Sequence, residues 1–126
     1  MTLILDAGAF IAAERGDRDV IALVKSERLA DRCPRSHGGV VAQVWRGGSG
    51  RQVTLVRLLA GVDVAALDDH LGRAAGVLLG RSGMSDAVDA AVVAMSRDGD
   101  IVLTSDPDDL VSLARASGTH LEIVAV

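Results

Sequence analysis

Four aspartates of this sequence lie where neighbouring strands and helices are predicted to end or begin. Asp6 directly follows a short apolar run, and Asp106 follows a second apolar run after two intervening residues. Asp86 and Asp89 are three residues apart at the start of a predicted helix, so both can lie on one helix face. Because sites in open α/β sheets form beyond the carboxyl ends of the strands, we expect the four carboxylates to converge.

Such a group of carboxylates indicates a metal site. Carboxylates held close together repel one another unless a cation lies among them, and hard divalent cations prefer oxygen ligands. The predicted occupant is Mg²⁺ or Mn²⁺, which can activate water and stabilise the charge that builds on a phosphodiester during hydrolysis. The pattern therefore favours metal-dependent phosphodiester chemistry.

Each of these acids also has a structural explanation. Ser85 or Asp86 can cap a helix, with Asp89 near the third helical position, as in a capping box. The segment 105–109 has a cap, a proline and two further acids, which is typical of a helix start. Taken singly, all but Asp6 are explained more simply as caps. Asp6 ends a buried strand and has no evident structural task, so the coincidence of all four favours the metal site.

The elements that must position these acids alternate along the chain. Strands are predicted at 2–5, 35–37, 62–67, 101–103 and 121–126. Helices are predicted at 9–14, from 19 to about 31, and at 40–45, 53–59, 71–79, 86–97 and 107–116, with Gly80 and Gly83 ending the fifth. Alternation of this kind predicts a parallel sheet covered by helices on both faces.

Length and composition set the class of protein. A chain of 126 residues suits one domain, and its single cysteine, Cys33, is expected to be a small buried residue without an internal disulfide. No apolar run is long enough for a membrane span or a signal-peptide core, so we expect a soluble cytoplasmic protein. An aromatic content of 2% argues against stacking of bases on aromatic side chains, and a net charge of −4 gives no general basic field for nucleic acid.

Four short motifs occur in order along the chain. They are Leu3-Ile4-Leu5-Asp6-Ala7-Gly8-Ala9, Val41-Ala42-Gln43-Val44-Trp45-Arg46, Ser85-Asp86-Ala87-Val88-Asp89-Ala90 and Val102-Leu103-Thr104-Ser105-Asp106. Together they resemble PIN-domain proteins, and particularly the VapC-type toxins of bacterial toxin–antitoxin pairs. The resemblance covers residues 1–126 and implies one PIN-like domain, a three-layer α/β fold with a five-stranded parallel sheet and helices on both faces.

The resemblance also implies an activity and partners. PIN-domain toxins are endoribonucleases that depend on Mg²⁺ or Mn²⁺; they are commonly homodimers and are commonly inhibited by a small antitoxin whose tail enters the acidic groove. By position, Asp6 matches the first acid of the family, Asp86 the acid at the later helix start and Asp106 the acid after the fourth strand. Asp89 matches an additional acid seen in some members. Thr104 or Ser105 matches a hydroxyl that often supports the site.

Gln43 departs from the family pattern, which usually has glutamate there. The amide keeps an oxygen that can contact a metal or its water, but the loss of one negative charge should weaken cation binding. Asp89 can compensate for this loss, or Gln43 can simply bond to neighbouring backbone. The alternative to a nuclease is therefore a catalytically weakened PIN-like binding module that mainly complexes a protein partner.

A few other residues carry weaker signals. Arg46 and Arg51 flank the glycine loop, and Arg46 is the preferred phosphate-binding residue, ahead of Arg15 and Arg81. Trp45 is expected to pack in the core or at a dimer interface. The three histidines are scattered without a ligand spacing and are expected at the surface, namely His37, His70 and His120. A phosphoacceptor receiver domain is disfavoured because the only lysine, Lys25, comes far too early in the chain.

Overall fold

Five strands and seven α-helices make up the part of the chain that the computed structural model describes, residues 1–47 and 50–126. The strands are β1 (Leu3–Leu5), β2 (Arg35–His37), β3 (Asp63–Ala65), β4 (Ile101–Thr104) and β5 (Glu122–Ala125). The helices are α1 (Ala7–Glu14), α2 (Arg18–Leu29), α3 (Gly38–Val44), α4 (Val53–Leu59), α5 (Asp69–Ser82), α6 (Ala87–Met95) and α7 (Pro107–Ser117). A turn of 3₁₀ helix, Gly50–Gln52, precedes α4.

The strands form one parallel sheet in the order β3-β2-β1-β4-β5. The chain moves outward from β1 to β3, then returns across β1 to β4 and β5. Because crossover connections between parallel strands are right-handed, this reversal places the helices before and after it on opposite faces. The helices accordingly pack in two groups, α1 with α2, α3 and α4, and α5 with α6 and α7. The predicted α/β architecture with helices on both faces is confirmed.

The core is aliphatic, as the low aromatic content requires. All three residues of β1 are buried, together with Val102 and Leu103 of β4 and Phe10 of α1. Helix α6 is buried almost all round, from Asp89 to Val93, because it packs against both α5 and α7. A helix that is apolar on every face is typical of such a position. Any polar side chain on α6 that points inward is therefore shielded from solvent.

Several boundaries differ from the sequence predictions. Helix α5 continues through Gly80 and ends at Gly83, whose φ of 73° suits a residue without a Cβ. An interior glycine costs only about 1 kcal/mol, so packing can carry the helix past Gly80. Trp45 lies beyond the end of α3 and is 39% exposed, so its expected place in the core is wrong. Cys33 is also exposed rather than buried; its thiol donates to the Gly61 carbonyl at 3.2 Å.

Two remaining sequence predictions concern the glycine loop and membrane-spanning segments. The predicted glycine loop at 47–50 includes residues 48 and 49, which lie outside the described residues. Within the described ranges, none of the helices is long and apolar enough to cross a bilayer.

Candidate functional site

An open cavity of about 360 Å³ lies at the carboxyl ends of β1 and β4. It is lined by Asp6, Ala7, Gly8, Ile11, Gln43, Arg46, Asp86, Asp89, Ser105 and Asp106. The fold thus brings together the four aspartates, the glutamine, the preferred arginine and the serine that sequence reasoning selected, from segments far apart in the chain. We call this cavity the acidic cavity.

Asp6 is almost fully buried, at 3% exposure, and is held from two sides. Its Oδ1 accepts a hydrogen bond of 2.8 Å from the Ala7 amide at the start of α1, and its Oδ2 accepts one of 2.8 Å from the Thr104 hydroxyl. Asp6 therefore does have a structural task as the cap of α1, which sequence reasoning missed. The task comes from the strand passing into the helix without a loop between Leu5 and Ala7.

Thr104 fixes the orientation of the Asp6 carboxylate. The Thr104 hydroxyl oxygen accepts a 3.0 Å hydrogen bond from the Asp106 amide, so its own hydrogen is directed to Asp6. Thr104 is fully buried, and this hydrogen bond joins residues 98 positions apart. Of the two hydroxyls matched to the family's supporting residue, Thr104 is the one that contacts a candidate ligand.

Ser105 instead shapes the cavity wall beside Gly8. A Cβ placed on Gly8 would lie 2.6 Å from the Ser105 Oγ and 2.7 Å from the Ser105 backbone nitrogen. A backbone atom cannot yield as the end of a flexible side chain can, so this close approach of α1 to the end of β4 requires glycine. Only with glycine here can Asp6 and Asp106 approach the same cavity.

Asp86 and Asp106 both occupy helix N-cap positions but use them differently. The Asp86 Oδ1 accepts hydrogen bonds from the amides of Val88 and Asp89 at 2.9 and 3.0 Å, so its capping role is real. Asp106 makes no side-chain capping bond at the start of α7. Its carboxylate is exposed at the cavity, and the capping interpretation does not account for it.

Asp89 carries the largest electrostatic cost in the site. It is 6% exposed on the inward face of α6, and burial raises its pKa from 3.8 to about 7, with the charges of Asp6, Asp86, Asp106 and Asp109 adding to the rise. Burial also raises the pKa of Asp6, although the bonds from Thr104 and Ala7 oppose this rise. The cavity thus concentrates negative charge that protein groups do not compensate.

The donor set suits a hard divalent cation. All four candidate ligands present carboxylate oxygens, and a cation among them would offset both the desolvation and the repulsion that raise the pKa of Asp89. Within the described ranges, no three His, Cys, Asp or Glu side chains are yet close enough together to hold an ion without moving. The fit is therefore one of donor chemistry and charge, and the metal site stays a prediction.

The raised pKa of Asp89 gives a stability prediction. An aspartate whose pKa is near 7 when folded and 3.8 when unfolded binds more protons in the folded state between these values, so its contribution to stability falls as pH rises through 7. Without divalent ions, Asp89→Asn is therefore expected to raise the free energy of unfolding at pH 8 by roughly 2 to 4 kcal/mol more than at pH 4. Urea unfolding at both pH values measures this difference.

The same experiment with added Mn²⁺ provides the control. If the ion binds at Asp89, it should stabilise the parent protein more than the variant and so reduce or reverse the advantage of asparagine at pH 8. An effect of Asp89→Asn that is equal at both pH values would contradict the raised pKa.

His37 is a further residue that sequence reasoning placed wrongly. Expected at the surface, it is fully buried at the end of β2. Its Nδ1 accepts a 3.0 Å hydrogen bond from the Gly39 amide and so caps α3, while its Nε2 lies 3.0 Å from the Val88 carbonyl oxygen. Because Nδ1 accepts, Nε2 carries the proton and donates to Val88. The available signal was a polar residue ahead of Gly38 and Gly39 at a strand end, which is typical of a helix cap.

Buried His37 connects the sheet to the first turn of α6. Val88 lies between Asp86 and Asp89, so the His37 bond holds the turn that carries both acids. Burial lowers the pKa of His37, against smaller opposing effects of the Val88 bond and the Asp6 charge. A neutral ring with both nitrogens engaged holds the turn in place and is not available as a base.

Arg46 and Gln43 line the same cavity from the end of α3. The Arg46 guanidinium donates to the Trp45 and Ala42 carbonyls at 2.7 and 3.3 Å, which holds it close to the helix end. Gln43 is exposed, and within the described residues its amide makes no hydrogen bond, so the proposal that it bonds neighbouring backbone is not supported. Arg51 does not line the cavity, and Arg81 lines a separate hollow between α5 and α6.

Comparison with known proteins bears on the fold. No protein-family model and no curated protein matches the chain. Among solved structures, it resembles the crystal structure of VapBC2 from Rickettsia felis bound to a DNA fragment from their promoter, with a TM-score of 0.72 and 12% sequence identity over 98% of this chain and 99% of that chain. The chain has a PIN-like fold. At this identity the likeness establishes the PIN-like architecture alone, and activity must be argued from the site.

Proposed function

We propose that this protein is an endoribonuclease dependent on Mg²⁺ or Mn²⁺, and the toxin of a VapC-type toxin–antitoxin pair. The observation that carries the proposal is the convergence of Asp6, Asp86, Asp89 and Asp106 on one cavity of a PIN-like fold. Burial and the neighbouring carboxylates raise the pKa of Asp89, so this position disfavours a negative charge unless a cation binds, which supports a metal site.

Each side chain has a definite part in this proposal. The four aspartates would hold the cation, and Thr104 would keep the Asp6 carboxylate turned toward it. When bound, the cation supplies an activated water and stabilises the charge that develops on the phosphate. Arg46 would hold a phosphate of the RNA at the cavity rim. His37 is neutral and fully engaged, so no histidine serves as general base.

The test is cleavage of a panel of structured RNAs by the purified protein with Mg²⁺ or Mn²⁺. Cleavage should require the ion, stop with a chelator, and leave 5′-phosphate and 3′-hydroxyl ends, because water attacks the phosphorus and the ribose 3′ oxygen is the leaving group. Ends that carry a 2′,3′-cyclic phosphate would identify a different mechanism or a contaminating ribonuclease and count against the proposal.

The proposed function also suggests partners and a location for the protein. The structural likeness to VapBC2 supports a protein partner, and we propose that this chain pairs with a small antitoxin. We also propose that it is cytoplasmic, forms one domain over residues 1–126 and assembles as a homodimer. Exposed apolar side chains such as Trp45, Val53 and Val56 are suited to contacts with partner chains.

Gln43 supports a second candidate function, a PIN-like binding module with weakened catalysis. It lines the acidic cavity with a neutral amide in place of a carboxylate. If catalysis is limited by this missing charge, Gln43→Glu is expected to raise the cleavage rate at limiting Mn²⁺ by about tenfold or more, because carboxylates bind hard cations better than amides do. The rate is measured across a Mn²⁺ titration.

Gln43→Met is the matched control, since it keeps the length of the side chain and removes its oxygen. If the parent protein cleaves RNA and Gln43→Glu does not raise its cleavage rate, the hypothesis of a weakened binding module is excluded. A parent without activity that becomes a nuclease with Gln43→Glu would establish it.

A further inference from the structure

The acidic cavity adjoins a larger hollow. A second hollow of about 590 Å³ shares Gly8, Ile11 and Ser105 with the acidic cavity. Its other lining residues are Ala12, Arg15, Gly16, Asp17 and Val126. The two hollows are therefore adjacent, and we call the second one the side groove. Its volume exceeds that of the acidic cavity, so it has room for a further part of an elongated ligand seated at the acids.

An arginine side chain lies on each side of the four aspartates. Arg46 lines only the acidic cavity, and Arg15 lines only the side groove. Arg15 follows α1 directly and is exposed, and within the described residues its guanidinium takes part in no ion pair. In a chain with 17 acidic and 13 basic residues, an arginine without a carboxylate partner is available for an external anion.

The floor of the side groove is apolar and open. Ile11 is 38% exposed and precedes Arg15 by four residues, so both lie on the same face of α1. Gly16 leaves open space, with no atom within 4 Å of where its Cβ would be. The one acid, Asp17, already caps α2 by accepting from the amides of Asp19 and Val20 at 3.0 and 3.2 Å. The side groove therefore places the Arg15 guanidinium beside an apolar surface.

The length of α1 sets the distance from the acids to Arg15. Asp6 caps the start of the helix and Arg15 follows its end, so their α-carbons are separated by about 14 Å along the axis. The Arg15 backbone therefore lies well away from that of Asp6. A phosphate bound by Arg15 would be one further along the strand than a phosphate held at the acids, and Ile11 would lie between the two positions.

Resting on the proposed nuclease function, we propose that the side groove is a second substrate subsite, in which Arg15 binds a phosphate of single-stranded RNA remote from the cleaved bond. A polynucleotide carries a charged phosphate at every nucleotide, which matches a groove with an arginine on each side of the proposed metal site. Contacts to phosphate and to an apolar floor do not distinguish bases, so this subsite adds affinity rather than sequence specificity.

The test compares Arg15→Gln with Arg18→Gln. Arg18 is exposed at the start of α2 and lines neither hollow, so its variant makes the same change of charge nearby. Fluorescence anisotropy measures binding of a single-stranded RNA of about twelve nucleotides in Ca²⁺, with gels confirming that the RNA stays intact. Arg15→Gln is expected to weaken binding about fivefold and to reduce the slope of log K against log salt by about 0.7. Arg18→Gln should match the parent protein.

Two results would overturn the subsite. They are equal binding of RNA by Arg15→Gln and the parent protein, and equal weakening of RNA binding by both variants. The first of these, in a protein that still cleaves RNA with Mn²⁺, removes the subsite and leaves the nuclease function standing. Absence of any metal-dependent cleavage by the parent protein would instead remove the proposed function.

Discussion

Replacing Asp6 by asparagine is expected to lower metal-dependent RNA cleavage at least about a hundredfold. Asparagine has the shape of aspartate and keeps an oxygen that can accept from the Thr104 hydroxyl, but it lacks the charge that a divalent cation needs. Of the four acids, Asp6 is the most deeply buried and is held from both sides, so no other carboxylate can take its place. Initial rates at saturating Mn²⁺ measure the loss.

Two controls separate loss of chemistry from loss of fold. Burial raises the pKa of Asp6, so removing its charge relieves a desolvation cost, but the asparagine amide nitrogen cannot accept the hydrogen bond from the Ala7 amide. The melting temperature of the metal-free protein at pH 7 should therefore change little. Asp19→Asn removes one charge from an exposed position in the first turn of α2 and should retain full activity. Cleavage that survives in Asp6→Asn would mean that the activity comes from another site or another protein.

The second large effect is expected at His37, through the position of α6. His37→Asn can still cap α3 because its Oδ1 replaces Nδ1, but it is too short to reach the Val88 carbonyl. Leaving that carbonyl without its donor, in a space the ring no longer fills, should cost about 2 to 4 kcal/mol of folding stability. The turn that carries Asp86 and Asp89 should also loosen, and the apparent affinity for Mn²⁺ should fall about tenfold.

The longer variant His37→Gln distinguishes positioning from general stability. Its amide nitrogen can extend toward Val88, so it should recover Mn²⁺ affinity more than His37→Asn does, even if both are less stable than the parent. Titrations of activity with Mn²⁺ at a temperature where all three proteins are folded provide the comparison. Unchanged Mn²⁺ affinity in His37→Asn would assign His37 to fold stability alone.

The sheet and the meeting of the acids could be predicted because both follow from periodicity and topology. Apolar runs mark β1 and β4, and carboxyl ends of adjacent parallel strands must lie together, so Asp6 and Asp106 converge. Helix ends were predicted less well. Gly80 lies inside α5 because packing offsets the modest cost of an interior glycine. Trp45 belongs by sequence to an apolar stripe, but the helix ends one residue before it.

The missed features depend on tertiary contacts. The burial of His37 results from α6 crossing the end of β2, and no local spacing shows which carbonyl its ring will meet. The Asp6 bond to Thr104 joins positions 98 residues apart, so the hydroxyl could be assigned only through the family resemblance. The high pKa of Asp89 has a partial sequence signal, since a helix that is apolar on all faces must be buried and must desolvate any acid it carries.

The placement of β1 in the middle of the sheet has a consequence for the time at which the proposed nuclease site is completed during synthesis. One neighbour of β1 is β4, near the end of the chain, and it brings Thr104 and Asp106 to Asp6. At synthesis rates of about 5 to 20 residues per second, a nascent chain therefore carries Asp6, Asp86 and Asp89 for seconds without the strand that aligns them. Toxicity of the proposed kind would therefore begin in a single step, when β4 has been made and has paired with β1, rather than increase gradually as translation proceeds.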